Sequence, residues 1–144
     1  MRNRRDAREL ALQALYQLDM TAEGDVERNL SLFWARAEAG GEAEQFAHEL
    51  VDGVAAHRER IDALIGESAE HWRLPRLSRV DLSLLRLAAF ELLARPEIPA
   101  SVTINEAIEI ARRFGSEDSA AFVNGVLDHI AGLLGVKEKR GEAD

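Results

Sequence analysis

The segment Ser78-Arg79-Val80-Asp81-Leu82-Ser83-Leu84-Leu85-Arg86-Leu87-Ala88-Ala89-Phe90-Glu91-Leu92 decides the fold class. Val80, Leu84, Leu85, Leu87, Ala88 and Leu92 recur at helical spacing, and their apolar face is too wide for a helix with a single neighbour. Such a helix belongs at the centre of a bundle, touched from several sides. Ser78 is placed to cap it, with Asp81 at the capping-box position. Pro96 and Pro99 are placed to stop it, because proline lacks the amide proton a helix interior needs.

The same periodicity extends outward in both directions. Ala7, Leu10, Ala11, Ala14, Leu15 and Leu18 predict a helix over 3–20, capped by Asn3 with Asp6 three residues on. Thr21 to Asp25 reads as a loop with Gly24. A second helix, about 25–39, buries Val26, Leu30, Phe33, Trp34 and Ala37, and Gly40-Gly41 ends it. A third begins near Glu42, carries Phe46, Leu50, Val51 and Val54, and continues or kinks near His57 into Ile61, Leu64 and Ile65. Gly66 is its expected end, and Ser68 to Leu77 reads as a connection holding Trp72 and Pro75. Beyond the central helix, Ser101 is expected to open a helix with Ile104, Ala107, Ile108, Ala111 and Phe114, closed by Gly115. Ser116 is expected to cap the last one, with Val123, Val126, Leu127, Ile130 and Leu134 inward. The sum is an all-α bundle of six to seven helices with short links. Residues 1–136 read as a single domain, and 137–144 as a mixed-charge tail expected to be disordered.

Composition agrees. The 144 residues hold 23 Ala and 19 Leu against 17 Val, Ile and Thr together, a balance that favours helix. Zero Cys excludes a disulfide scaffold, a zinc knuckle and a cysteine nucleophile, and fits a reducing cytoplasm. No apolar run approaches the ~20 residues of a membrane span. Gln13 and Gln17 interrupt the apolar stretch behind the basic start, so it reads as mature protein rather than a targeting signal. His48, His57, His71 and His129 are dispersed, and neither a His-Glu-x-x-His pair nor a Gly-rich phosphate loop is present. No catalytic residue, metal ligand or cofactor is therefore assigned.

Charge is uneven. The net value is −8, yet residues 1–8 carry +3, leaving −11 on the remainder. Arg4 and Arg8 are i, i+4 neighbours on one side of the first helix, and Arg5 can pair with Glu9. Arginine at a helix N-terminus opposes the helix dipole, which makes sense if an anion occupies the site; the alternative is a solvated basic end. Phe122 lies at the edge of the last helix's inward face, with Asp118 one turn earlier. The pair suits base stacking with an edge hydrogen bond; the alternative is a ring finishing the core edge beside a helix-start carboxylate. Tyr16, the only tyrosine, lies outside the main face of the first helix, as an interface residue or a core-edge ring. Capping accounts for Asp81, and Glu109 with Arg113 reads as an ordinary surface pair.

Three stretches, in order, carry a resemblance. Arg4 to Tyr16, Ile104 to Ala111 and, most strongly, Phe114 to Asp128 (Phe-Gly-Ser-Glu-Asp-Ser-Ala-Ala-Phe-Val-Asn-Gly-Val-Leu-Asp) resemble the NusB transcription antitermination factors. The resemblance implies two small helical sub-bundles packed together and a non-enzymatic factor. It implies binding of boxA RNA jointly with NusE, a small-subunit ribosomal protein, on elongating RNA polymerase, chiefly at ribosomal RNA operons. It places RNA against Arg4, Arg5, Arg8, Asp118 and Phe122, and NusE against Tyr16 and Asp81. Asp6 interrupts an arginine run that is often more continuous in relatives, which increases the expected dependence on NusE. Relatives fused to RNA methyltransferases exist; this chain ends at Asp144, so a stand-alone factor is expected. Monomer and homodimer both stay open. The competing expectation is a helical adaptor that binds protein only, with its arginines solvated.

Overall fold

A computed structural model describes residues 3–20, 26–37, 40–71 and 77–137. Among them are seven helices and no strand: α1 (Arg4–Met20), α2 (Val26–Ala37), α3 (Gly41–Ala56), α4 (Arg58–His71), α5 (Arg79–Ala94), α6 (Ala100–Phe114) and α7 (Ser119–Leu134). The expected loop Thr21–Asp25, Trp72 and Pro75, and tail residues 138–144 lie outside the described residues.

The wide face of α5 has the expected consequence. Every residue from Ser83 to Leu92 is buried, and α5 packs against α1, α3, α4, α6 and α7. One sub-bundle is α1, α2 and α3; the other is α4, α6 and α7; α5 runs between them. The buried apolar side chains form one cluster, with Leu50, Ile61, Leu85, Ile110, Leu127 and Ile130 at full burial. The approach of α3 to α5 needs glycine. A Cβ on Gly53 of α3 would fall on the Phe90 ring of α5, so a side chain there would force the two helices apart.

Several boundaries match their local chemistry. Ser78 Oγ accepts the Asp81 N–H at 3.1 Å. The long third segment breaks at His57 into α3 and α4. Gly135, at φ 71°, closes α7 in the left-handed conformation that favours glycine.

Others differ. Helix α4 runs through Gly66 to His71, because Ile61, Ile65 and Ser68 keep its buried stripe going past the glycine. Helix α6 begins at Ala100, one residue before Ser101, with Pro99 in the N-cap position and no side-chain cap. Ser116 does not cap α7; instead the Ser119 side chain accepts the Ser116 N–H at 2.9 Å and tightens the turn. Three charged residues, Asp81, Arg86 and Glu91, are also buried on α5. Arg86 reaches Asp62 of α4 through two hydrogen bonds of 2.9 and 3.1 Å, and Glu91 takes a partner from α1.

Candidate nucleic-acid interface

The interface begins at the first turn of α1. Asn3 Oδ1 accepts the Asp6 N–H at 2.9 Å, and the Asn3 N–H donates to Asp6 Oδ2 at 3.3 Å. The capping box closes in both directions. Asp6 therefore holds the helix start and complements its dipole, which fixes where Arg4, Arg5 and Arg8 leave the helix.

The three arginines occupy three different environments. Arg4 is exposed and stacks its guanidinium on Phe46 of α3, 4.2 Å from the ring centroid. Among the described residues it has no carboxylate partner. Arg5 is half-exposed and makes a two-pronged pair with Glu106 of α6, at 2.6 and 2.8 Å. That pairing holds the Glu106 carboxyl below the usual range, chiefly through the hydrogen bonds from Arg5, and raises Arg5 further above its already high value. Arg8 points inward. Its side chain is 6% exposed, and its fork grips Glu91 of α5, itself 1% exposed, at 2.8 and 2.7 Å. The Thr103 hydroxyl of α6 donates to the same carboxyl at 3.2 Å.

Arg8 is thus a buried tie between α1, α5 and α6, and its fork is not offered to a phosphate. The expected Arg5–Glu9 pair gives way to tertiary pairs, and the expected Glu109–Arg113 pair to a closer i, i+3 pair within α6. Glu9 is held by Arg113 of α6 at 3.1 Å, and Glu109 by Arg112 at 2.6 Å. For Arg5 and Glu9 the reason is tertiary: the fold brings Glu106 and Arg113 of α6 within side-chain reach of the first turns of α1.

An open groove of about 620 Å³ runs between the start of α1 and α6, bordered by Arg4, Arg5, Arg113, Glu106, Ile98 and Val102. Val102 is among the more exposed apolar side chains. The arrangement can place several guanidinium groups along a chain of phosphates, with apolar surface beside them for bases or sugars.

Asp118 is exposed at the start of α7, and Phe122 follows one turn later, half-buried. Phe122 is not one of the partly buried apolar side chains that pack on the core. Tyr16 is 37% exposed on α1. Asp81 differs from its expected place at a protein interface: it is 1% exposed, in the first turn of the central helix, and its carboxyl is not on a surface a partner can touch. Among the described residues its Oδ1 has no hydrogen-bond partner.

Glu91, Glu106 and Thr103 were not singled out from the sequence, and Arg113 was read only as the surface partner of Glu109. A signal existed for the first. Arg8 lies on the Ala11–Leu15 stripe of α1, and Glu91 on the Leu84–Ala88 stripe of α5. Opposite charges on two buried stripes are affordable only if they meet.

No group of three His, Cys, Asp or Glu side chains able to hold a metal occurs among the described residues, and none of the described helices is long and apolar enough to cross a membrane. Comparison with known proteins adds the lineage. The family model described as the NusB family matches residues 5–132. The transcription antitermination protein NusB of Geobacter sp. (strain M21) is 49% identical, over 96% of this chain and 100% of its own length. T. maritima NusB superposes with a TM-score of 0.80 at 42% identity, covering 91% of this chain and 92% of that one. A chain in the structure of antitermination factors NusB and NusE in complex with dsRNA gives 0.76 at 27% identity, covering 90% and 96%.

Proposed function

The chain belongs to the NusB family, and from that premise we propose that it is a transcription antitermination factor that binds boxA RNA together with NusE. In this role it joins elongating RNA polymerase, chiefly on ribosomal RNA operons, and catalyses no reaction. The observation that carries the proposal is the arginine-bordered groove at the start of α1, in a chain similar to a NusB solved with NusE and dsRNA.

Arg4 and Arg5 are the phosphate-facing residues. Arg8 acts through the packing of α1 on α5 and α6. Asp118 and Phe122 meet a base, the ring by stacking and the carboxylate by an edge hydrogen bond. Tyr16 supplies an aromatic anchor for NusE, whereas the burial of Asp81 leaves it to support the start of α5. A net charge of −8 gives little long-range attraction to RNA, so NusE strengthens the complex and RNA reciprocally tightens the protein pair.

The protein-only adaptor keeps one observation in its favour: Arg5, Arg8 and Arg113 are all paired within the chain. Titration of boxA RNA with and without NusE separates the two. Saturable RNA binding that tightens with NusE, with a salt slope near −1.4 from two phosphate contacts at about −0.7 each, supports the factor. NusE binding that ignores RNA supports the adaptor.

A further inference from the structure

Of the arginines bordering the groove, only Arg4 lacks a carboxylate partner among the described residues. A phosphodiester arriving at Arg5 therefore meets a closed pair. The Glu106 carboxylate offers two oxygens to the Arg5 fork, the geometry a phosphate also offers. Binding at Arg5 is an exchange of one anion for another.

The three pairs near the groove differ in how readily they can exchange. Arg8 and Glu91 are sealed, and separating them would strand a buried carboxyl. Glu9 is 11% exposed, and Arg113 makes its ion pair, so losing Arg113 would leave a nearly buried acid without its cation. Glu106 is better placed. It is 23% exposed toward the groove, and the Arg8 Nη1 stands 3.9 Å from its Oε1. When Arg5 turns outward, Glu106 still has a cation beside it. Arg5, at 42% exposure, is free to turn.

We infer that Glu106 is an internal competitor for RNA: a carboxylate that occupies the Arg5 fork in place of phosphate and sets the affinity threshold an RNA strand must overcome. This deepens the RNA-binding reading and rests on it. A strand that touches only Arg5 gains little by the exchange. A strand also held at Phe122 or by a second protein displaces Glu106.

The test is RNA binding to the full chain carrying Glu106→Gln, which removes the charge and keeps the side-chain size. Affinity for a short single-stranded boxA RNA is expected to rise about fivefold, the scale of one partly exposed ion pair. Glu109→Gln changes the net charge equally on the same helix and is the control; its gain is expected to stay below about twofold. Glu106→Asp, which shortens the reach but keeps the charge, is expected to fall between wild type and Glu106→Gln and serves if the first variant melts early. In an Arg5→Ala background Glu106→Gln should bring no gain. A gain no larger than that of Glu109→Gln, or one that persists without Arg5, overturns the competitor role alone. If Arg5→Ala leaves wild-type RNA binding unchanged, the groove is not the RNA site and the functional reading of it falls as well.

Discussion

Arg8→Ala separates a structural arginine from a phosphate-binding one. In the folded protein Arg8 gives Glu91 two hydrogen bonds of 2.8 and 2.7 Å, and Thr103 gives a third of 3.2 Å. The side chains of the ion pair are 6% and 1% exposed, so water cannot replace the lost fork. Truncating Arg8 leaves the Glu91 carboxyl in the core with one hydroxyl donor. Removing one partner of such a buried pair costs about 3–5 kcal/mol. For a chain of this size that corresponds to a fall in melting temperature of roughly 10–20 °C. Urea unfolding followed by circular dichroism at 222 nm measures it, and the Arg8→Met, Glu91→Leu double variant should recover most of the loss, because an apolar pair of similar volume strands no charge. RNA binding by the folded fraction should keep its salt slope. A loss below about 1 kcal/mol, or a slope reduced by the ~0.7 expected of a phosphate contact, would refute the assignment of Arg8 to the core.

Three further outcomes are expected. Phe122→Ala should cost much less stability than the ~3–5 kcal/mol of a fully buried ring, because Phe122 is half-buried, yet weaken RNA binding by about 1–3 kcal/mol; a badly destabilised variant that binds RNA normally once folded would return the ring to the core. Tyr16→Asp should lower NusE affinity while leaving stability within about 0.5 kcal/mol, since the side chain is exposed on α1; equal NusE binding in a pull-down or calorimetric titration would remove Tyr16 from the interface. The Arg5 fork depresses the Glu106 carboxyl, so that group stabilises the fold above the ordinary glutamate range, and this contribution is lost as the pH falls through its lowered folded value. Arg5→Ala should therefore make the protein's stability less steep in pH below about 4, measured by melting temperature across an acid series; an unchanged acid limb would show that the pair does not couple to folding.

The sequence alone determined the helices and their central member. Each depends on an interval of three or four residues repeated along one segment, and the breaks at His57, Pro96 and Gly115 depend on the conformational limits of a few residues. The resemblance over Phe114 to Asp128 likewise pointed to the family and to RNA without any coordinates. Tertiary structure decided which charges meet. From spacing within α1, Arg5 faces Glu9, and Arg8 shares a side with Arg4. Once the fold brings α6 within side-chain reach of α1, Glu106 and Arg113 take the places that local neighbours were expected to fill, and α5 draws Arg8 inward to Glu91. Gly66 shows the same order of precedence, since a buried stripe carries α4 past a residue that would weaken an isolated helix. The physical reason is range. Helix formation is governed by neighbours within a turn and is written in the order of residues, whereas an ion pair is chosen by distance and desolvation. Residues 5 and 106 acquire a distance only when the helices between them have packed.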